Sequence, residues 1–231
     1  MIAIMIAKFL AVIILGYILG SIPFGVLVGK ISAKVDVRKY GSGKTGTTNV
    51  LRTAGKKAAI LVVVLDVVKG SLAVVFAGLI VGGKYLVVGD IGLGLMTAQV
   101  LAALGAMAGH NWSIFLRFQG GRGVATFFGG LAALCPVVAL FGSEVFILGT
   151  GLTRFASIGS IAGAVGTYTI LVPLTIVNGF PIEYLIYTLI GTIVIVVMHR
   201  DNISRLLTGK ERRVGERTTE SNYPSSNESL G

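Results

Sequence analysis

Three segments of the chain combine glycine with hydroxyl and guanidinium side chains: GSGKTGTTNVLRTAG at residues 41–55, GHNWSIFLRFQGGRGVAT at 109–126 and TRFASIGS at 153–160. A fourth cluster, HRDN at 199–202, follows a long apolar run. Together they offer Ser42, Thr48, Asn49, Arg52, Arg122, Arg154, Ser157, Ser160, His199 and Asn202. Guanidinium groups pair bidentately with phosphate oxygens, and flexible glycine backbone lets N–H groups close on an anion. The combination points to recognition of phosphate. Each residue also has a plainer role: Ser42 and Ser160 suit turns or helix N-caps, and His199 suits the end of a helix, where a cation complements the dipole. Asn111 and Trp112, after His110, read equally well as interfacial anchors.

The first segment satisfies the spacing G-x-G-x-x-G through Gly41, Gly43 and Gly46, and contains Gly-Lys-Thr at 43–45. A phosphate-binding P-loop needs a further glycine where this chain has Arg38, so that reading fails. A dinucleotide fingerprint needs a preceding strand within a βαβ unit. Only a basic loop after an apolar run precedes Gly41, and that reading falls too. What survives is the anion-binding tendency of glycine backbone beside a helix N-terminus.

The elements that must position these groups are set by composition. Of 231 residues, 54% are hydrophobic and 13% charged, about half the charged share of an ordinary soluble domain. Apolar runs near 2–29, 58–82, 86–109, 161–177 and 184–198 are each sized to cross a bilayer core of about 30 Å. Residues 124–152, with Pro136 in the middle, are long for one crossing and short for two. The N-terminal run is too long for a signal peptide and shows no small-x-small cleavage pattern before Lys30. It reads as a retained span. Cys135 is the single cysteine, so there is neither an intrachain disulfide nor a cluster of metal ligands.

Charge decides the crossing number. Eight basic residues (Lys30, Lys34, Arg38, Lys39, Lys44, Arg52, Lys56 and Lys57) lie in the first long loop, and six (Arg200, Arg205, Lys210, Arg212, Arg213 and Arg217) near the C-terminus. Both regions belong in the cytoplasm by the positive-inside rule. Two crossings within 124–152, with Pro136 at a helix start, put them on one side. The expectation is an all-α polytopic membrane protein of seven transmembrane helices, with short or re-entrant elements on the cytoplasmic side. The loops around 83–90 and 178–183, where only Lys84 is basic, would then lie outside. Residues 1–207 form a single membrane domain, and 208–231 a polar, loose cytoplasmic tail. The net charge of +10 reflects this placement of basic residues, and no nucleic acid partner is expected. Asp66 and Lys69, three apart within the second span, suit an ion pair facing the bundle interior or a proton relay.

The three glycine-rich segments resemble the signature motifs of the PlsY-type glycerol-3-phosphate acyltransferases, bacterial membrane enzymes that use acyl phosphate. Gly41, Ser42, Gly43, Gly46, Thr48, Asn49 and Arg52 match the first motif. Gly109, His110, Phe118, Gly120, Gly121, Gly123, Val124, Ala125 and Thr126 match the second, and Thr153, Arg154, Ser157 and Ser160 the third. His199, Arg200, Asn202 and Arg205 fit the family's ending. Lys44, Phe155 and Arg122 depart from the common asparagine, tyrosine and lysine. Arg122 keeps the charge but is permanently protonated, which argues against an acid/base role there.

The resemblance implies transfer of a fatty acyl group from acyl phosphate to the 1-hydroxyl of glycerol 3-phosphate, giving lysophosphatidic acid and phosphate, in the bacterial plasma (inner) membrane with the active site facing the cytoplasm. The implied partners are glycerol 3-phosphate, fatty acyl phosphate and membrane lipid, and no cofactor is implied. It implies catalytic roles for Ser42, Arg52, Arg122 and His199. Substrate binding is implied for Gly41, Gly43, Thr48, Asn49, Gly120, Gly121, Gly123, Ser157, Ser160 and Asn202. Neither His110 nor His199 begins the H-x4-D pair of acyl-CoA-dependent acyltransferases, since Phe115 and Ser204 occupy the aspartate positions. A small transporter of phosphorylated solutes is the competing class, but the halves show no convincing repeat.

Overall fold

The computed structural model describes residues 2–83, 85–88 and 91–216. The described residues are mostly helical: α1 (Ile2–Ser21), α2 (Phe24–Ala33), α3 (Thr47–Val81), α4 (Leu95–Asn111), α5 (Val124–Leu134), α6 (Pro136–Thr153), α7 (Ala156–Asn178), α8 (Ile182–Met198) and α9 (Arg200–Leu207). The first apolar run is broken at Ile22–Pro23, because proline lacks an N–H and disfavours helical geometry in the residue before it. α3 contains 35 residues and bends at Gly55, where φ is 85° and ψ −179°. Its first turns, carrying Thr48, Asn49 and Arg52, therefore take a different direction from the long apolar portion.

One sequence expectation changes here. The run at 86–109 is not one helix: β1 (Leu86–Val88) and β2 (Ile91–Leu93) pair antiparallel, with Leu86 opposite Leu93 and Val87 opposite Gly92, and α4 begins only at Leu95. β-Branched residues favour strands, and Gly92 and Gly94 are poor helix formers. Lys84, which served to place that loop outside, lies outside the described residues. The stretch 124–152 does divide in two, with Pro136 at the start of α6, where a missing N–H costs no helical hydrogen bond.

By length and composition, four stretches can cross a membrane: 2–33, 47–81, 136–153 and 156–178. A fifth is added if α8 and α9, bent by 56°, count together. α5, with 11 residues, spans only about 16 Å. Ile4, Ile14, Leu61, Leu79, Leu140, Ile176 and Ile193 project outward, while Asp66, Lys69, Thr126, Thr167 and Thr188 are buried. That distribution suits a protein solvated by hydrocarbon.

Close backbone approach holds the first layer. A side chain at Gly16 or Gly20 would overlap the carbonyls of Ala102 and Ala106, and one at Gly105 or Gly109 would crowd the backbone of Ile13, Tyr17 and Ser21. Small residues are what allow α1 and α4 to meet without a large apolar side chain between them. A second layer surrounds Phe127, Leu131, Leu171, Tyr187 and Ile195. There the rings of Phe127 and Tyr187 stack at 5.2 Å, and the Tyr187 hydroxyl donates to the Phe127 carbonyl at 2.9 Å. This pins the start of α5, and the loop before it, against α8.

Candidate active site

Four helices begin around one region, and none of the four is capped by a side chain. They are α3 after Gly46, α5 after Gly123, α7 after Phe155 and α9 after His199. Each helix N-terminus presents unsatisfied N–H groups and partial positive charge. Gly46, Thr47 and Thr48 from the first and Gly123, Val124 and Ala125 from the second line a cavity of about 360 Å³. A contiguous pocket of about 30 Å³ is lined by Ala156, Ser157 and Ser160 of α7 and by His199 and Asn202. Ser42, Thr48, Arg122, Ser160 and His199 belong to both walls.

The first glycine loop is held from within. Gly41 and Gly43 adopt φ of 57° and 67°, which side chains disfavour and glycine does not. The Asn49 amide accepts from the Ser42 N–H at 3.1 Å and donates to the carbonyls of Val37, Tyr40 and Lys44 at 2.7, 3.1 and 2.9 Å. Asn49 is buried and reaches the cavity wall, yet its amide is occupied by the loop. The structure gives it a scaffold role within the loop as well as a place on the cavity wall.

The second loop is built on His110. The Gly121 N–H donates to the His110 carbonyl at 3.0 Å. A side chain at Gly120 would overlap that same carbonyl, and one at Gly121 would overlap the imidazole. Gly41, Gly43, Gly120 and Gly121 line neither cavity; they shape the loops that do. Gly123, at φ 75°, delivers the chain into α5. Arg122 then projects into the junction of the two cavities. Burial, reinforced by the nearby Arg205, lowers its pKa to about 10, so it stays cationic at neutral pH.

The remaining wall comes from the C-terminal third. The buried His199 places Nδ1 2.8 Å from the Ile195 carbonyl. A carbonyl only accepts, so Nδ1 carries the proton and Nε2 of the neutral ring is left as an acceptor. Ser160 donates to the Ala156 carbonyl at 2.7 Å. Glu211 is the residue that sequence reasoning missed. Its carboxylate accepts from Ser157 Oγ at 3.1 Å, Asn202 Nδ2 at 2.6 Å and Arg205 Nε at 2.8 Å. A lone carboxylate among Arg205, Lys210, Arg212 and Arg213 was the available signal.

Residues 208–216, the start of the expected loose tail, thus fold back over the site. The Val214 N–H donates to the Arg154 carbonyl at 2.8 Å, and Arg52 Nη2 donates to the carbonyls of Arg212 and Arg213 at 3.1 and 3.3 Å. Residues 217–231 lie outside the described residues. Arg154 itself is exposed and faces neither cavity. Arg52 Nε, Arg122 Nε and Asn202 Oδ1 are buried without a hydrogen-bond partner among the described residues. Groups of three or more metal-ligating side chains are absent among the described residues.

The larger cavity has both polar and apolar lining. Ser42, Thr48, Arg122 and His199 form one part, and Val63, Val67, Phe128, Phe146 and Ile147 another. Cations, hydroxyls and four helix N-termini suit an anionic head group, and an adjoining apolar wall suits a hydrocarbon tail.

Such a cavity, with cationic and apolar lining, in a bundle whose outer surface is hydrocarbon, defines an integral membrane protein with an internal polar site. Comparison with known proteins makes the class specific. The sequence profile of the glycerol-3-phosphate acyltransferase family matches residues 10–209. Glycerol-3-phosphate acyltransferase 3 of Dehalococcoides mccartyi (strain CBDB1) is 62% identical over 213 residues, covering 92% of this chain and 99% of that one. The glycerol-3-phosphate acyltransferase of Synechococcus sp. (strain JA-3-3Ab) is 42% identical over 206 residues, covering 89% and 93%. The crystal structure of PlsY (YgiH), an integral membrane glycerol 3-phosphate acyltransferase, in its glycerol 3-phosphate form superposes with a TM-score of 0.76 at 35% identity, covering 90% of this chain and 96% of that one. The chain belongs to the glycerol-3-phosphate acyltransferase family, and its type is that of PlsY. Membership in an acyltransferase family does not favour the transporter reading.

Proposed function

We propose that the protein transfers a fatty acyl group from acyl phosphate to the 1-hydroxyl of glycerol 3-phosphate, releasing lysophosphatidic acid and phosphate. The observation that carries this reading is the continuity of the cavities: the arginine-rich pocket shares Ser42, Thr48, Arg122, Ser160 and His199 with a larger cavity whose lining also includes apolar side chains suited to one acyl chain. Arg52, Arg122, Ser42, Thr48, Ser157, Ser160 and Asn202 hold the phosphoryl groups together with the helix N-termini. Unpartnered Arg52 Nε and Arg122 Nε gain acceptors when they do so.

Acyl phosphate is a mixed anhydride and already activated. The site has mainly to align the glycerol oxygen with the acyl carbon and stabilise the oxyanion that develops. His199 Nε2 accepts a hydrogen bond from the attacking hydroxyl and orients it. A C–O bond forms to glycerol, the bond from acyl carbon to phosphate oxygen breaks, and the leaving phosphate takes the hydroxyl proton. No acyl-enzyme is required.

Seven crossings in the inner membrane, with the site facing the cytoplasm, complete the proposal. Its support is that residues from all four motif regions, including Arg52 and His199, line connected cavities at one end of the bundle. Purified protein in detergent should form lysophosphatidic acid from glycerol 3-phosphate with acyl phosphate and not with acyl-CoA. Equal turnover of acyl-CoA, or no product from acyl phosphate, would overturn the donor assignment.

A further inference from the structure

Lys69 is buried in the middle of α3, lines neither of the two cavities above, and has two hydrogen-bond partners and one ion-pair partner. Its Nζ lies 3.1 Å from the Ile22 carbonyl, 2.8 Å from Asp66 Oδ1 and 2.9 Å from His110 Nδ1. An ammonium has three donors and no acceptor, so His110 Nδ1 accepts and its proton resides on Nε2. The three partners belong to different parts of the fold. Ile22 is the corner between α1 and α2, Asp66 is one turn earlier on α3, and His110 ends α4.

Each partner leads to a loop of the site. Just past the Ile22 corner, Gly25 packs so tightly on the Thr45 carbonyl of the first glycine loop that a side chain there would overlap it. On the other side, the backbone and ring of His110 are the surfaces on which Gly120 and Gly121 lie, immediately before Arg122. Ser113 Oγ donates to the Ser21 carbonyl at 2.6 Å and closes the same circuit. Asp66 and His110 also reach the wall of the larger cavity. One connection between the first loop and Arg122, beside the direct packing of α3 on α5, therefore passes within hydrogen-bond reach of one ammonium.

Resting on the functional reading above, we propose that Lys69, held by Asp66 and bonded to His110, is a positioning residue that sets Arg122 relative to the first glycine loop and so governs recognition of glycerol 3-phosphate. A misplacement near 1 Å can cost about a hundredfold in rate. The paired substitution Asp66→Asn with Lys69→Met removes the donor to His110 and leaves no unpaired buried charge. It should raise KM for glycerol 3-phosphate about tenfold to a hundredfold while leaving KM for acyl phosphate near the wild-type value. A merely structural ion pair predicts a different pattern, because a smaller folded fraction lowers apparent kcat and moves neither KM.

A second pair keeps the test decisive if the double variant does not fold. His110→Phe keeps a ring against Gly121 but has no acceptor for Lys69, and should raise KM for glycerol 3-phosphate. His110→Asn, whose amide oxygen can replace Nδ1, should recover part of that loss. Unchanged KM in the folded double variant, or equal behaviour of the two His110 variants, would overturn the inference. If the wild-type protein makes no lysophosphatidic acid, the functional reading itself fails; wild-type turnover with unmoved variant KM values removes only the role of Lys69.

Discussion

Arg122→Ala is the most direct perturbation of the proposed chemistry. The side chain lies at the junction of the two cavities, and its Nε has no hydrogen-bond partner among the described residues. Its removal therefore breaks no existing hydrogen bond at that nitrogen and deletes a donor reserved for a ligand. A hydrogen bond to a charged group contributes about 1.5–3 kcal/mol. That range corresponds to about a 10- to 150-fold loss of kcat/KM for glycerol 3-phosphate. Arg122→Lys separates charge from shape, because an ammonium keeps the cation and loses the bidentate fork. Its loss should be smaller than that of the alanine variant. Steady-state kinetics in detergent, varying each substrate at saturating levels of the other, measure both. Thermal unfolding of the same preparations shows whether the fold is intact. Near wild-type kcat/KM for folded Arg122→Ala would refute the placement of Arg122 on a phosphoryl group.

The other predictions bear on separate parts of the structure. Glu211→Gln removes the negative charge that gathers Ser157, Asn202 and Arg205, and should destabilise the protein by about 2 kcal/mol; an unchanged midpoint in thermal or denaturant unfolding would show that residues 208–216 do not brace the site. Gly109→Ala places a methyl group against the backbone of Tyr17 and Ser21 and should cost about 1–3 kcal/mol through separation of α1 from α4, read as a lower melting temperature. Val67→Phe narrows the apolar part of the cavity and should weaken long-chain acyl phosphates more than short ones, with KM for glycerol 3-phosphate unmoved. Loss of glycerol 3-phosphate affinity alone would show that the apolar wall does not receive the acyl chain.

Legibility in the sequence followed the range of each interaction. The break at Pro136 was readable because proline acts on its own neighbours, and the structure starts α6 there. The hairpin at 86–93 was hidden inside a run whose hydrophobicity suits either a span or a strand. Ser42, Thr48, Arg52, Arg122, Ser157, Ser160, His199 and Asn202 were all identified from local composition, and all line the cavities. Asn49, also identified, lines the larger cavity and in addition ties the first loop together. Glu211 was not, since its partners Ser157 and Asn202 lie on α7 and α9, outside its own segment, and only its place among basic residues marked it. The convergence of four helix N-termini was equally unreadable, being a property of how α3, α5, α7 and α9 are arranged.

That convergence bears on how the proposed site would bind two phosphoryl groups without an excess of buried cations. Of the arginines at the cavities, Arg205 is already paired with Glu211, and Arg52 donates to two backbone carbonyls through one nitrogen. Formal charge alone leaves few groups to balance two phosphates. Uncapped helix starts supply the rest as fixed dipoles, which need no counterion when the site is empty and no reorganisation when an anion arrives. Buried guanidinium groups in greater number would repel one another, as Arg205 already does to Arg122. The glycines at the loop turns serve the same arrangement: they allow the tight bends that bring the starts of α3 and α5 to the cavity wall. Substituting the arginines should then weaken binding by finite factors and leave a residual affinity for glycerol 3-phosphate that belongs to the backbone.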